Sequence, residues 1–246
     1  VGIVEVPDPR LQKISALVNP AKLIPTAIEF VDIAGLVAGA SKGEGLGNRF
    51  LAHIREVDAI IHVVRAFNDD DITHVSGHVD PISDAGTIET ELALADLETL
   101  ERAIERTSKA AKTGDKKVLR ELEILKTTHE ALSNDTQIAA LLTEDEVIHA
   151  LKPLCLLTAK PVVYVANVAE SELEGNEKVE ALRQHAAEAA AQLVVVSAAI
   201  EQEISEIDPN DRSSFLEDLG LEESGLDKVI RAGYELLGLQ TFFTAG

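Results

Sequence analysis

The sequence has 246 residues, of which 46% are hydrophobic and only 3% aromatic, so its core must be built from aliphatic side chains. The formal net charge of −21 argues against a protein that binds polyanions over its whole surface. No stretch approaches the length of an uncharged membrane span, and the single cysteine, Cys155, lies in an apolar run where a packed thiol is expected. We therefore expect a cytoplasmic protein without a membrane partner.

Five short runs rich in β-branched residues are predicted to be strands, and helical patterns separate most of them. The runs are residues 1–6, 27–31, 59–64, 161–166 and 193–196. Alternating strands and helices form mostly parallel sheets that bind their ligands at the carboxyl ends of the strands. The predicted fold class is therefore α/β.

The segment between residues 82 and 152 departs from this alternation. Two helical patterns meet near Gly114, and each repeats in alternating steps of four and three, as the seam of a coiled coil does. The seam positions are Ala93, Leu97, Leu100, Ile104, Thr107 and Ala111, then Val118, Leu122, Leu125, His129 and Leu132. We predict an antiparallel helical hairpin inserted into the α/β domain; two ordinary amphipathic helices lying on the sheet are the alternative.

Basic residues gather around the turn of this hairpin. Residues 102–120 contain seven basic and two acidic side chains, a local net charge of +5. Such a basic tip on an acidic body indicates a contact with RNA or the ribosome, and an ordinary solvated helix face is the alternative. The predicted contact residues are Lys109, Lys112, Lys116, Lys117 and Arg120.

An Asp-x-x-Gly motif, Asp32 to Gly35, directly follows the predicted strand 27–31. A carboxylate at that place can hold a water of a Mg²⁺ shell, and the glycine N–H can approach a terminal phosphate. Five glycines then fall within residues 35–47. We predict a loop that reorders between nucleotide states; a flexible loop without a switching role is the alternative.

A second motif, Asn167-Val168-Ala169-Glu170, follows the strand 161–166. GTPases carry Asn-Lys-x-Asp at the corresponding place, where the aspartate accepts hydrogen bonds from guanine. Here Val168 replaces the lysine and Glu170 replaces the aspartate, whereas the Asn167 amide can pair with N6 and N7 of adenine. The motif therefore predicts binding of adenine rather than guanine, with an ordinary polar strand-to-helix turn as the alternative.

A third motif, Ser197-Ala198-Ala199, follows the strand 193–196. Its small side chains leave room for a base and expose backbone N–H groups to it, although a serine that only caps a helix is common. All three motifs lie at carboxyl ends of successive strands, so we predict that they meet at one nucleotide.

The run Phe30 to Asn48, together with Pro7 to Leu11, the two later motifs and the ending Leu239 to Gly246, resembles the YchF family of Obg-like ATPases. The likeness covers essentially the whole sequence. It implies a GTPase-like P-loop NTPase domain interrupted by a helical coiled-coil domain and followed by a TGS domain. It also implies ATP and ADP as ligands, ATP preferred over GTP, Mg²⁺ dependence with K⁺ as a second candidate ion, and a ribosome or ribosomal RNA partner.

The resemblance implies three domain assignments. Residues 1–85 and 154–238 form the nucleotide-binding domain, residues 86–153 the inserted helical domain, and residues 239–246 the start of the TGS domain. The family's phosphate loop, Gly-x-x-x-x-Gly-Lys-Ser/Thr, does not occur in these 246 residues. We expect the natural protein to carry it, because this stretch without it should hydrolyse nothing.

Leu36 stands where many GTPases have a glutamine that orients the attacking water, and leucine cannot do so. The resemblance implies that His74 takes this role. Two other functions remain open. One is a GTPase with a degenerate base motif, and the other is a non-enzymatic ribosome- or RNA-binding adaptor built around the basic hairpin.

Overall fold

The structure is a computed structural model that describes residues 1–33, 46–69, 71–74, 77–136 and 138–244. Its strands are β1 (Gly2–Glu5), β2 (Ala27–Phe30), β3 (Ile60–Arg65), β4 (Val162–Asn167) and β5 (Gln192–Val196). Its helices are α1 (Pro9–Val18), α2 (Leu46–Glu56), α3 (Pro81–Ala111), α4 (Lys116–Ser133), α5 (Asp145–Leu151), α6 (Glu177–Glu188), α7 (Ala198–Glu206), α8 (Arg212–Asp218) and α9 (Gly225–Leu236). The strands lie within a residue or two of the predicted runs.

Strands β3, β4 and β5 form one sheet in that order, with β4 at its centre. β4 and β5 are parallel, and their register places Asn167 opposite Val196 at the carboxyl ends. Four consecutive residues of β4, from Val163 to Ala166, are buried, as expected for a strand covered on both faces. The predicted α/β class with a parallel sheet is confirmed.

Strands β1 and β2 form a separate pair and run antiparallel, with Gly2 opposite Phe30. The simple alternation predicted parallel neighbours, and the difference lies in how α1 ends. Asn19 closes α1 in the left-handed conformation (φ 45°), and the extended segment after it returns the chain along β1. The Val6 N–H then donates to the Thr26 carbonyl at 2.8 Å, which extends the antiparallel pair.

The chain divides into two compact units. The first contains residues 1–32, 61–82 and 162–246, and the second contains residues 33–60 and 83–161. The second unit therefore groups residues 33–60, which were predicted to be part of the nucleotide-binding domain, with the helical segment. The predicted domain boundaries themselves stay predictions.

The core of the first unit lies between the parallel sheet and α9. Val163, Val165 and Val196 from β4 and β5 pack with Val229 and Ala232 from α9. α9 has a pronounced apolar face, which explains why it covers the sheet. This packing fixes the carboxyl ends of β4 and β5, where two of the predicted motifs lie.

The core of the second unit follows the predicted hairpin seam. Leu100 of α3 shares a buried cluster with Leu125 and Leu132 of α4, and Ala103 and Ile124 belong to the same cluster. Between the helices, Gly114 takes a positive φ of 78°, a conformation that glycine adopts without strain. The predicted helical hairpin is confirmed.

A buried carboxylate also holds this unit together. Asp96 of α3 is fully buried and accepts hydrogen bonds from the Leu157 N–H at 2.9 Å and from the N–H and hydroxyl of Thr158 at 2.8 Å each. Burial raises the pKa of the Asp96 carboxyl, although these hydrogen bonds oppose the shift. Asp96 therefore links α3 to the segment that leads toward β4.

The prediction that Cys155 is packed is wrong. The residue ends a short 3₁₀ turn (Lys152–Leu154) in the left-handed conformation, and its side chain is exposed. None of the helices that the structure describes combines the length and apolarity that crossing a bilayer requires.

Candidate functional site

Asn167, the last residue of β4, joins three segments. Its backbone carbonyl accepts a hydrogen bond from the Ala66 N–H, just after β3, at 2.8 Å. Its side-chain Oδ1 accepts one from the Ala198 N–H, at the start of α7, at 3.0 Å. Because a backbone N–H can only donate, the atom facing Ala198 must be the amide oxygen. The Nδ2 group is the remaining donor of this side chain.

Ser197 occupies the N-cap position of α7 with an extended backbone, but its side chain makes no capping hydrogen bond. Its hydroxyl is buried, with the residue 1% exposed, and Oγ has no partner among the described residues. A buried hydroxyl without a partner is costly, so such a group commonly awaits a ligand or a water. Ser197 is thus the N-cap residue by position, as the alternative had it, although its hydroxyl does not bond to the helix.

The remaining predicted base-site residues differ in exposure. Val168 is 2% exposed, and its backbone N–H donates to the Val196 carbonyl at 2.8 Å, so the residue extends the pairing of β4 with β5. Glu170 is exposed at the start of a 3₁₀ turn. Ala198 and Ala199 are exposed in the first turn of α7, where helix N–H groups lack partners within the helix.

Glu201 holds α7 against α9, a role that was not predicted. Its carboxylate accepts hydrogen bonds from the N–H groups of Gly225 at 2.6 Å and Leu226 at 3.0 Å, at the start of α9. A Cβ added at Gly225 would lie 2.8 Å from Glu201 Oε1 and 2.9 Å from Val196 Cγ1. The Ser-Gly pair before the amphipathic pattern of α9 signals a helix start, but nothing in the sequence links it to Glu201.

Asn176 was also missed, although an asparagine before a helical pattern is a cap signal. Its Oδ1 accepts from the Val179 N–H at 2.9 Å and caps α6. Its Nδ2 donates to the Ala66 carbonyl at 2.8 Å. Ala66, itself fully buried, is therefore fixed from both sides, by Asn176 and by Asn167.

The other predicted nucleotide residues lie on different segments. Asp32 is exposed two residues beyond β2, and His74 is partly buried in the segment that follows β3. Gly35 and most of the glycine-rich run lie outside the described residues. The structure thus brings together Asn167, Ser197 and Ala198. Within the ranges that it describes, no cluster of three or more His, Cys, Asp or Glu side chains could hold a metal ion.

The cations of the hairpin divide into paired and unpaired groups. Arg120 forms ion pairs with Glu123 and Glu146 at 3.0 Å each, and these carboxylates raise its pKa further. Lys109 pairs with Glu105 at 2.7 Å. The turn carries exposed lysines that form no ion pair with any described residue: Lys112, Lys116 and Lys117.

The chain is similar to known proteins of one family. A family profile described as "50S ribosome-binding GTPase" matches residues 11–95. The "Ribosome-binding ATPase YchF" of Bacillus subtilis is 57% identical over the whole chain, which spans 68% of that protein. The proteins of the same name from Escherichia coli O157:H7 and Mycoplasma pneumoniae are 52% and 43% identical, again over the whole chain and over 68% and 69% of their lengths.

A solved structure agrees with these relatives. The Schizosaccharomyces pombe YchF GTPase superimposes with a TM-score of 0.87 at 34% identity, over 99% of this chain and 67% of that one. The chain therefore belongs to the YchF family.

Proposed function

We propose that the protein carrying this chain binds ATP, hydrolyses it slowly with Mg²⁺, and uses the nucleotide state to control a cytoplasmic contact with the ribosome. The observation that carries the proposal is the arrangement around Asn167. Its amide lies together with the first N–H groups of α7 and with the Ser197 hydroxyl, which has no partner among the residues described, at the carboxyl ends of β4 and β5. This is where open α/β sheets bind nucleotides.

The hydrogen bond between Ala198 and Asn167 changes which residue would distinguish adenine from guanine. With Oδ1 accepting from the Ala198 N–H, Asn167 presents its Nδ2 donors to a purine, and these suit the acceptor N7. Adenine and guanine both carry N7, so Asn167 favours a purine without separating the two. The preference for ATP is then better attributed to Glu170, which is exposed and longer than the aspartate that GTPases use to hold guanine.

The described residues could hold a Mg²⁺ ion only together with the phosphates of a bound nucleotide. Asp32 is a single exposed carboxylate, and no ligand cluster surrounds it among the residues described. Mg²⁺ is commonly held by one or two carboxylates, waters and substrate phosphates rather than by an all-protein cage. Asp32 would hold the ion in this way, and the ion would supply charge neutralisation for the phosphates. K⁺ is the second candidate ion, as an aid to hydrolysis beside Mg²⁺.

His74 is proposed to orient the attacking water, because Leu36 cannot. The residue lies in the segment that follows β3. That segment begins beside Asn167, since the Ala66 N–H donates to the Asn167 carbonyl at 2.8 Å. This position supports the assignment, which rests on the family resemblance. Removal of the imidazole should lower kcat and leave ATP binding nearly unchanged.

The ribosome contact is proposed to use the exposed lysines at the hairpin turn. The names of the bacterial relatives describe ribosome-binding proteins. Lys112, Lys116 and Lys117 have no acidic partner among the described residues, so they can reach phosphates without breaking an ion pair. Arg120 and Lys109 are held by carboxylates and are weaker candidates.

Steady-state hydrolysis by the full-length protein tests the proposal. ATP should be hydrolysed with a requirement for Mg²⁺, and Asp32→Asn and His74→Ala should each lower kcat by at least about tenfold. Cosedimentation with ribosomes should differ between ATP and ADP. The proposal fails if hydrolysis does not depend on Mg²⁺ or if ribosome binding ignores the nucleotide.

A GTPase is the second candidate. The S. pombe relative is named a GTPase, and an Asn167 that contacts only N7 does not reject guanine. A non-enzymatic adaptor is the third, and it predicts ribosome binding that depends on the hairpin lysines alone. Hydrolysis measured with both nucleotides separates these candidates from the proposal.

A further inference from the structure

Arg65, the last residue of β3, organises the loop that follows it. Its Nε donates to the Phe67 carbonyl at 3.1 Å, its Nη1 to the Ile72 carbonyl at 3.0 Å, and its Nη2 to the Asp69 carbonyl at 3.2 Å. The guanidinium also lies over the Phe67 ring, with Cζ 4.6 Å from the ring centroid. One side chain thus binds three backbone carbonyls of the described part of the loop.

These contacts require an arginine. The described part of the loop has neither a helix nor a strand to satisfy its carbonyls, so they need other donors. A guanidinium presents five N–H groups in a fixed plane, whereas an ammonium presents a compact charge on a flexible stem. Lysine at position 65 would keep the charge but could not bind all three carbonyls at once.

The loop also starts from a fixed point. Ala66 is fully buried, its N–H donates to the Asn167 carbonyl, and its carbonyl accepts from Asn176, both at 2.8 Å. The Ile72 carbonyl, which Arg65 binds, lies two residues before His74. The His74 carbonyl accepts a hydrogen bond from the Gly77 N–H at 3.1 Å.

We propose that Arg65 is a positioning residue for hydrolysis, which holds Phe67, Asp69 and Ile72 of the loop so that His74 keeps a defined place relative to the nucleotide site. The inference rests on the proposed role of His74. Arg65 itself touches neither nucleotide nor water in this proposal. Its partners among the described residues are backbone carbonyls and the Phe67 ring, the pattern of a residue that shapes a loop.

The test compares Arg65→Lys with a matched control in the full-length protein. The control is Arg183→Lys, which makes the same change at an exposed arginine of α6 that pairs with the Glu180 side chain. Backbone hydrogen exchange is followed in peptides that cover residues 66–74, because exchange reports loop order whether or not His74 acts in catalysis. Hydrolysis of ATP is measured in parallel.

Arg65→Lys should raise exchange in residues 66–74 by at least about tenfold, and Arg183→Lys should leave it unchanged. The kcat for ATP should fall by about tenfold or more while KM stays within about twofold, since the base site is untouched. The double variant Arg65→Lys/His74→Ala should hydrolyse ATP no more slowly than His74→Ala, because both changes remove the same contribution.

Unchanged exchange in Arg65→Lys would overturn the proposal, and so would a raised KM with an unchanged kcat. A different result would instead overturn the role of His74. If exchange rises as expected but His74→Ala hydrolyses ATP like the wild type, the link from the loop to hydrolysis is wrong. The two failures are therefore distinguishable.

Discussion

The Ala198 N–H at the start of α7 donates to the Asn167 side-chain Oδ1 at the end of β4, across 3.0 Å. The hydrogen bond fixes the orientation of the amide, because only its oxygen can face an N–H. Two strand ends that are distant in sequence are thereby joined through one side chain. The same bond leaves the Nδ2 donors of Asn167 for a base.

Asn167→Asp should keep the bond to Ala198 and lose the donor. Affinity for ATP and for GTP should both fall roughly threefold to tenfold, since one hydrogen bond contributes about 1 kcal/mol. Equilibrium titration with fluorescent analogues of both nucleotides measures the change. Asn134→Asp is the matched control, at an exposed asparagine after α4 that donates to the Glu130 carbonyl. A decrease confined to ATP would show that Asn167 does distinguish the bases.

Gly225→Ala should destabilise the protein by about 1–3 kcal/mol, because the new methyl group would overlap Glu201 and Val196. Gly233→Ala, in the same helix, is the control. The nearest atom to its added Cβ lies 3.8 Å away, so alanine should stabilise α9 by about 0.5–1 kcal/mol. Urea unfolding measures both variants, and equal stabilities would contradict the close approach of Glu201 to α9.

Asp96→Asn should destabilise the protein by about 1–3 kcal/mol, because an amide nitrogen would replace one carboxyl oxygen and could not accept the hydrogen bond from the Thr158 N–H. The effect should depend on pH. Burial raises the folded-state pKa above the ordinary 3.8, so the unfolded state releases this proton first as pH rises.

Asp96 therefore stabilises the folded state fully at pH values below 3.8. This stabilisation declines as pH rises through the folded-state pKa. The difference in the free energy of unfolding between wild type and Asp96→Asn should therefore become smaller as pH rises from 3.8 through the folded-state pKa. Urea unfolding of both proteins across the acid range measures it. A difference that widens with rising pH would mean that the hydrogen bonds outweigh burial and lower the pKa.

Replacing Lys112, Lys116 and Lys117 together with glutamine should weaken binding to ribosomes. Binding should also become less sensitive to salt, because about one counterion fewer is released for each phosphate that the variant no longer neutralises. Arg120→Gln should have a much smaller effect, because Glu123 and Glu146 already engage that side chain. Cosedimentation at several salt concentrations measures both variants. An Arg120 variant that binds ribosomes as weakly as the triple variant would contradict the proposal that the lysines without an ion pair make the contact and the ion-paired Arg120 does not.

The sequence predicted the strands and the hairpin well because burial on both faces and a coiled-coil seam leave strong apolar patterns, as in Val163 to Ala166 and Leu100 to Leu125. The antiparallel pairing of β1 with β2 was not predicted, since apolar patterns do not specify strand partners. Asn167 and Ser197 were found because their motifs end strands. Their hydrogen bonds depend on tertiary geometry.

Arg65, Asn176 and Glu201 illustrate what a sequence pattern cannot supply. Each acts through backbone groups, and a carbonyl or N–H carries no sequence signature at the position that provides it. The exposure of Cys155 was mispredicted for a related reason. Its left-handed backbone conformation turns it out of an otherwise apolar run.

Competition between ATP and GTP for the full-length wild-type protein tests the central claim most directly. If the longer Glu170 cannot make the hydrogen bonds by which the aspartate of GTPases holds guanine, ATP should displace a bound fluorescent ATP analogue at a lower concentration than GTP does. GTP that competes more strongly than ATP would contradict an adenine nucleotide site at the ends of β4 and β5.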